Sequence, residues 1–509
     1  MHTCVILIFL VGRNLCIWYN EKVTSDKRKS KGIGKMKRRS KWSIMWRDMR
    51  REKYLYGRRK EKKLQSILLI TLCVSLGIFA LVAGGYTLHE RLSNKSGKTT
   101  EKNVGSVAKK GDSNKKEPTV TAKSTATAEP TATPQPEKKE ASLLFTGDLM
   151  VHSYQYKAAY DASTGNYDFS NNFTYVKKYF KKADYVVGNL ETTFAGADRG
   201  FSDFPRFNTP DSFAKAIKAA GFDLLTTANN HCADKGSAGI QRTISTLKKS
   251  GVEQIGTYSS KKASKKIFVK EINGIRVAFV NGTYGVNGLS YDHSYEVKLL
   301  NDSFYKDLKK ARKKAEFVVA LPHNGVEYQQ TPAKTYQQQY RKMLEAGADV
   351  VIASHPHVLQ PMEYQNITDK DGSTRNGLIM YSLGNFLSSQ VTKPRDAGVM
   401  LQLTLSKVDN GAVTLKQVAA IPTWCRFTDA QGKRNFTVFS VYDILKMSEA
   451  KRKSLIRDKD YLRVQQIQEE STNTLLGTAV PVSKKKKKYV FRQVEKNYNR
   501  VYKVSGKRK

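Results

Sequence analysis

Acidic residues are scarce in this 509-residue chain. Its 45 Asp and Glu stand against 88 Lys and Arg, a net charge of +43. Cysteine is scarcer still: Cys4, Cys16, Cys73, Cys232 and Cys425 show no paired spacing and no C-x-x-C. Neither a disulfide framework nor a thiolate zinc site can be read from them, and Cys232 reads as a packed thiol. Histidine occurs only eight times. A reader motif for nucleic acid is lacking too. The positive surplus collects before Leu64 and after Lys451 rather than on one folded basic face, so nucleic acid is not an expected partner.

One long apolar run is present. Leu64–Tyr86 carries no charge in 23 residues, and at about 1.5 Å per residue it spans a hydrocarbon core of about 30 Å. Arg58–Lys63 before it marks the cytoplasmic end. The expectation is a single-pass signal-anchor, with everything after it extracytoplasmic. Residues 1–63 are basic, the apolar piece Cys4–Val11 is too brief to span a bilayer, and Met36 before Lys37-Arg38-Arg39 is an alternative start. Residues 87–140, rich in Lys, Ser, Thr and Pro, read as a disordered, solvated linker.

From Ala141 strands and helices alternate. Strands are expected at Ser142–Thr146, Ala183–Gly188, Phe222–Thr227, Ile275–Val280, Phe317–Leu321, Val350–Ala353 and Leu378–Leu383. Helices are expected at Asp211–Ala220, Gly239–Lys249, Phe304–Lys314 and Thr335–Ala346, and a hairpin at Val399–Leu405 and Val413–Ile421 with Asp409-Asn410-Gly411 as its turn. This is an α/β pattern whose strands end in polar clusters, where open α/β folds keep their sites. After residue 450 the charge rises and periodicity fades. That stretch reads as a basic tail, and the Lys484–Lys488 block is equally a solvated end or a contact for an anionic polymer.

The strand-end clusters hold Asp148, Glu191, Asn230, His231, His323, His355 and His357. Four of the six histidines within the folded domain lie in them. Carboxylates, imidazoles and an amide oxygen suit Mn, Zn or Fe. Seven donors exceed one tetrahedral site and suffice for two ions sharing a carboxylate. Neither Cys232 nor Ser354 has the orienting group a nucleophilic triad needs. Asp234 fits two roles, assisting proton transfer at His231 or capping the next helix. Glu327 fits substrate positioning or loop structure, and Arg206 fits an anionic substrate or an ordinary surface arginine. Asn385 sits in a turn under the site. His152 and His293 read as ordinary surface or core histidines.

The six blocks Phe145-Thr-Gly-Asp148, Gly188-Asn-Leu-Glu191, Asn229-Asn-His-Cys-Ala-Asp234-Lys-Gly236, His323-Asn-Gly-Val-Glu327-Tyr, Ser354-His-Pro-His-Val-Leu-Gln360 and Ser382-Leu-Gly-Asn-Phe386 resemble, in order, the motif series of the CapA family. These are capsule (poly-γ-glutamate) biosynthesis proteins related to calcineurin-like metallophosphoesterases. The resemblance, over about 142–424, implies a four-layer α/β metallophosphatase-like sandwich. It implies one or two divalent ions on Asp148, Glu191, Asn230, His323, His355 and His357, with His231 and Asp234 catalytic and Arg206, Glu327 and Asn385 toward substrate. It implies a role in synthesis, export or attachment of an anionic capsule polymer beside other capsule-synthesis membrane subunits. Within it, metal-dependent hydrolysis and non-catalytic polyanion scaffolding are the two alternatives. The chain departs from the phosphoesterase pattern twice: Met150 stands where a histidine is expected, with His152 two further on, and Glu191 replaces an aspartate.

Overall fold

A computed structural model describes residues 8–11, 14–17, 136–369, 372–430, 433–476, 489–492 and 503–504. The chain divides into two compact units, Met1–Thr127 and Ala128–Lys509. In the first, Ile8–Val11 and Asn14–Ile17 pair antiparallel. The expected membrane helix Leu64–Tyr86, the linker up to residue 135 and the Lys484–Lys488 block lie outside the described residues. No helix among the described residues is long and apolar enough to cross a membrane.

The second unit is built on β1 (Lys138–Leu149), β2 (Tyr185–Leu190), β3 (Leu224–Thr226), β4 (Glu253–Ile255), β5 (Phe268–Ile272), β6 (Ile275–Thr283), β7 (Phe317–His323), β8 (Val350–Ile352), β9 (Met362–Thr368), β10 (Thr374–Met380), β11 (Asn385–Leu387), β12 (Ala397–Val408), β13 (Thr414–Ala430) and β14 (Lys433–Ser440). One sheet runs β13–β12–β1–β2–β3–β4, extended past β13 by Tyr489–Arg492 and Lys503–Val504, with β11 against β1 and β14 against β13. The other runs β9–β10–β8–β7–β6–β5. In each, the central strands are parallel and antiparallel partners close an edge.

Alternation along the strands makes the layers. Leu143 and Phe145 of β1, Val187 of β2, Val277 and Phe279 of β6 and Val319 of β7 meet in one core between the sheets. Their neighbours Leu144 and Val186 face outward, onto Phe213 and Ile217 of helix α1 (Ser212–Ala220) and Leu247 of α2 (Gly236–Lys249). On the opposite outer face Ala278 and Val318 pack with Leu308 of α3 (Asp302–Lys314) and Met343 of α4 (Lys334–Glu345). Helices, sheet, sheet and helices therefore stack as four layers. α1 ends as its sequence dictates, with Gly221 at φ 111°. Asp211 at its start makes no capping bond, because its carboxylate holds Arg242 at 2.7 and 2.9 Å.

Two expectations change. β1 begins at Lys138, so the end of the supposed linker is already sheet. Folding also continues beyond residue 450: Glu449–Leu455 and α5 (Asp458–Leu476) are helical, and Ile456, Val464 and Ile467 are buried with Trp424 and Phe439. Periodicity fades there because polar residues share the inward face. Arg463 grips Asp396 at 2.7 and 2.8 Å, both buried, and Thr472 bonds back to the Gln468 carbonyl. Replacing fully buried Ile467 with alanine should cost about 2–5 kcal/mol in urea unfolding of the full chain. A solvated tail would leave the midpoint unmoved.

Candidate metal centre

Five strands stop at one edge of the sandwich. Asp148 is the last residue but one of β1, and Glu191 follows β2. Asn230 and His231 follow β3, His323 ends β7, and His355 and His357 lie in the turn after β8. The approach of β1 needs glycine: a Cβ on Gly147 would sit 1.8 Å from the Gly384 carbonyl oxygen, which accepts from the Asp148 amide at 3.1 Å. That contact brings Asn385, the first residue of β11, beside Asp148. In the turn after β8, His355 and His357 take φ of 104° and 58°, a region L-residues seldom occupy. Strain of this kind, about 1–3 kcal/mol per residue, persists only where its surroundings hold it. Here a His323–Ser354 bridge and a bond from the Tyr328 amide to the Pro356 carbonyl fix the turn, and both imidazoles are buried.

The buried donors fall into two overlapping groups. Glu191, His323 and His355 form one, Asp148, Glu191 and His357 the other, and within each the donor atoms lie within 4.8 Å of one another. Glu191 belongs to both: its Oε1 is 3.5 Å from His323 Nε2 and 3.6 Å from His357 Nε2. Asn230 Oδ1, 2.7 Å from His323 Nε2, adds an oxygen to the first group. Glu191 Oε1 and His355 Nδ1 are buried without any hydrogen-bond partner. Such orphans cost about 1–3 kcal/mol each, and an ion on these atoms would satisfy both. The donor set therefore fits divalent cations, with Glu191 as the shared carboxylate.

The family model for bacterial capsule synthesis protein PGA_cap matches residues 142–390. A PGA biosynthesis protein CapA from Bacillus subtilis is 31% identical over 282 residues, covering 53% of this chain and 69% of that protein. A capsule biosynthesis protein CapA from Bacillus anthracis is 30% identical over 300 residues, covering 55% and 67%. The chain belongs to the CapA capsule synthesis family. Among solved structures, the calcineurin-like phosphoesterase YfkN from Bacillus subtilis is 13% identical over 65% of this chain and all of that one, with a TM-score of 0.28. Likeness at that level carries no functional weight.

In this family member the remaining predicted residues separate into those at the centre and those at its rim. His231 Nδ1 lies 2.9 Å from Asp234 Oδ2, which also accepts from the Phe207 amide at 2.7 Å. Asp234 does not cap α2, whose first turn follows Lys235. Asn385 is buried, with Oδ1 3.1 Å from His357 Nδ1 and its amide donating to Gln390 and the Arg395 carbonyl, so both its ends are engaged inside the protein. Glu327 is exposed at the rim, where its charge still raises His357. Arg206 is exposed in a different loop, and no contact with the centre's carboxylates or imidazoles is found for it among the described residues. His293 stacks on Tyr295 and belongs to neither donor group. His152 is closer than its sequence suggests. It packs edge-on to Phe207 at 5.1 Å, and Phe207 packs edge-on to His231 at 4.7 Å. Met150 is buried, and its thioether meets Ser388.

Sequence reasoning passed over Asn189, which is buried between Asp148, Glu191 and His323. The signal was available: Asn189 and Glu191 are two apart on one strand end, hence on one face. It also passed over Arg395, whose guanidinium lies 4.6 Å above the ring of Tyr328, itself 6.0 Å from His357.

Burial dominates the protonation states of the metal-free centre. It pushes His355 down to about 2, His323 to about 3 and His152 to about 4. It pushes Glu191 up to about 8, reinforced by the Asp148 charge and only partly relieved by His357. For His357 burial is outweighed by Glu191 and by the Asp148 hydrogen bond, which lift it to about 9. Asp148 ends below its ordinary value because its bond to His357 overcomes desolvation. The three depressed histidines are neutral in the fold and protonate on unfolding below about pH 6.5, so the unfolded state then binds more protons and stability falls with pH. Between about pH 4.5 and 6.5 Glu191, protonated in the fold and ionised in the unfolded chain, opposes them with a single proton. The melting temperature of the metal-free chain should therefore drop as pH is lowered from 6.5 toward 4, each histidine contributing at most about 1.4 kcal/mol per pH unit. His355→Gln should flatten that slope, as calorimetry across the window would reveal.

Proposed function

We propose that this CapA family member holds one or two divalent cations (Mn, Zn or Fe) on Asp148, Glu191, Asn230, His323, His355 and His357, and uses them to hydrolyse an ester or amide in an anionic capsule polymer of the poly-γ-glutamate type. The observation that carries the reading is the pair of buried donor groups sharing Glu191, with Glu191 Oε1 and His355 Nδ1 bare. The fold would be the metallophosphatase-like version of the four-layer sandwich. Bound there, the cations would supply Lewis acidity toward the substrate oxygen and the attacking water.

The chain's own groups supply the rest. His231 is raised above its ordinary value: burial lowers it, but the Asp234 hydrogen bond and charge, with Glu191, prevail. A protonated imidazole oriented through Nδ1 keeps Nε2–H to give to a departing oxygen or nitrogen as its bond to carbon or phosphorus breaks. Asp234 fixes the tautomer and the ring. Asn385 and Asp148 hold His357 in the same way. At the rim, Arg395 over Tyr328 offers a cation to the next anionic group of a polymer. In this reading Leu64–Tyr86 anchors the protein with its N-terminus cytoplasmic, the linker carries the domain outward, and other capsule-synthesis membrane subunits are its neighbours.

The test is metal analysis and turnover of the full chain in detergent. One or two ions per chain are expected, with His355→Ala losing metal. His231→Ala should keep metal yet lose about 10²–10⁴ in kcat on phosphodiester or γ-glutamyl substrates. Salt-sensitive binding of poly-γ-glutamate by a chain that takes up no metal and turns nothing over would replace this reading with the polyanion scaffold.

A further inference from the structure

We infer that Asn189 is the positioning residue of the centre: its side-chain amide selects which oxygen of Asp148 and which of Glu191 is left for cations, and thereby makes Glu191 the shared ligand. This rests on the metal reading above.

The amide orientation follows from its surroundings. Thr226 Oγ1 donates to Asn189 Oδ1 at 2.9 Å, so Nδ2 faces the carboxylates. The opposite orientation would set an amide oxygen against carboxylate oxygens. Nδ2 donates to Asp148 Oδ1 at 2.8 Å, lies 3.3 Å from His323 Nδ1, and makes a longer contact of 3.5 Å with Glu191 Oε2. One oxygen of each acid is thus engaged. Glu191 Oε1 is left without a hydrogen-bond partner between His323 and His357, and Asp148 Oδ2, which accepts from His357 Nδ1 at 3.1 Å, keeps its second lone pair. Asn189 is buried and cannot reach solvent for another purpose. A neutral donor does this without placing a third negative charge among buried acids, where a carboxylate would meet repulsion and desolvation together. Partners that orient metal-ligating groups are typically worth 10–100-fold in metal affinity.

Mn²⁺ titration of the full chain, read by electron paramagnetic resonance and by bound metal, tests this with Asn189→Ala, Asn189→Asp and Thr226→Val. The expected result is a spin-coupled pair in the native chain. Asn189→Ala should weaken affinity about 10–100-fold and lose the coupled signal. Asn189→Asp should lose at least as much, since an acceptor then stands where a donor is needed. Thr226→Val, which unpins the amide, should show a smaller loss of the same kind. Melting of the metal-free chains separates this from a packing defect: a merely structural asparagine would lower the melting temperature and leave the coupled spectrum alone. Native affinity and spectrum in Asn189→Ala, or tighter binding in Asn189→Asp, would overturn the inference. If Asn189→Ala fails to fold, an unchanged Thr226→Val spectrum overturns it equally. A native chain that binds no Mn²⁺, Zn²⁺ or Fe²⁺ removes the metal reading itself, whereas binding that ignores Asn189 removes only its positioning role.

Discussion

Asp148 and Glu191 sit fully out of water, beside three imidazoles that are buried almost as deeply. Desolvated acids this close cannot both stay ionised unless positive charge stands nearby. Within the protein the response is uneven: Glu191 is pushed toward its neutral form, His357 is held charged, and His323 and His355 are kept neutral. A neutral imidazole and an ionised carboxylate are the forms that bind cations. His323 and His355 are thus in that form already, while Glu191 and His357 carry protons that a bound cation would have to displace. Much of the architecture serves to hold this arrangement against water and against its own repulsion.

The sandwich achieves that by converging two sheets at one edge. Asp148, Glu191 and Asn230 arrive from one sheet, His323, His355 and His357 from the other, and the core between the sheets supplies the stiffness. At His355 and His357 the chain turns sharply through positive φ to aim two side chains. The C-terminal helix belongs to the same support. Arg463 of α5 grips Asp396, one residue past Arg395, whose carbonyl accepts from Asn385, and Asn385 in turn meets His357. A helix remote in sequence is therefore tied through three hydrogen-bonded steps to an imidazole of the centre.

Much of this was legible beforehand, for physical reasons. Central parallel strands are buried on both faces, so β1, β2, β6 and β7 appear as unbroken apolar runs. The polar residues ending them stand out by contrast, which is how Asp148, Glu191, Asn230, His323, His355 and His357 came into view together. The edge strands β5 and β9 were not legible, because half-exposed Phe268–Ile272 and Met362–Thr368 carry polar residues that blur any alternation. α5 was missed because an ion pair shares its inward face with Val464 and Ile467 and interrupts the apolar spacing. Arg206 is chemically reasonable for an anionic substrate, but nothing in a sequence says that its loop turns it outward. His152 was set aside because contact through a shared ring, Phe207, leaves no trace in spacing.

The glutamate at position 191 follows from the same geometry. Asn189 occupies the strand position nearest Asp148, and the next side chain on that face is two residues further on. A carboxylate serving both donor groups must therefore reach back from beyond the strand's end. Aspartate is one methylene shorter. Glutamate spans that reach, placing Oε1 almost equally far from His323 and His357. A longer, freer side chain is less well fixed, and it leaves a second oxygen that could take its place. Holding Oε2 against the Asn189 amide answers that cost. Glu191 and the asparagine two residues before it are then two halves of one arrangement.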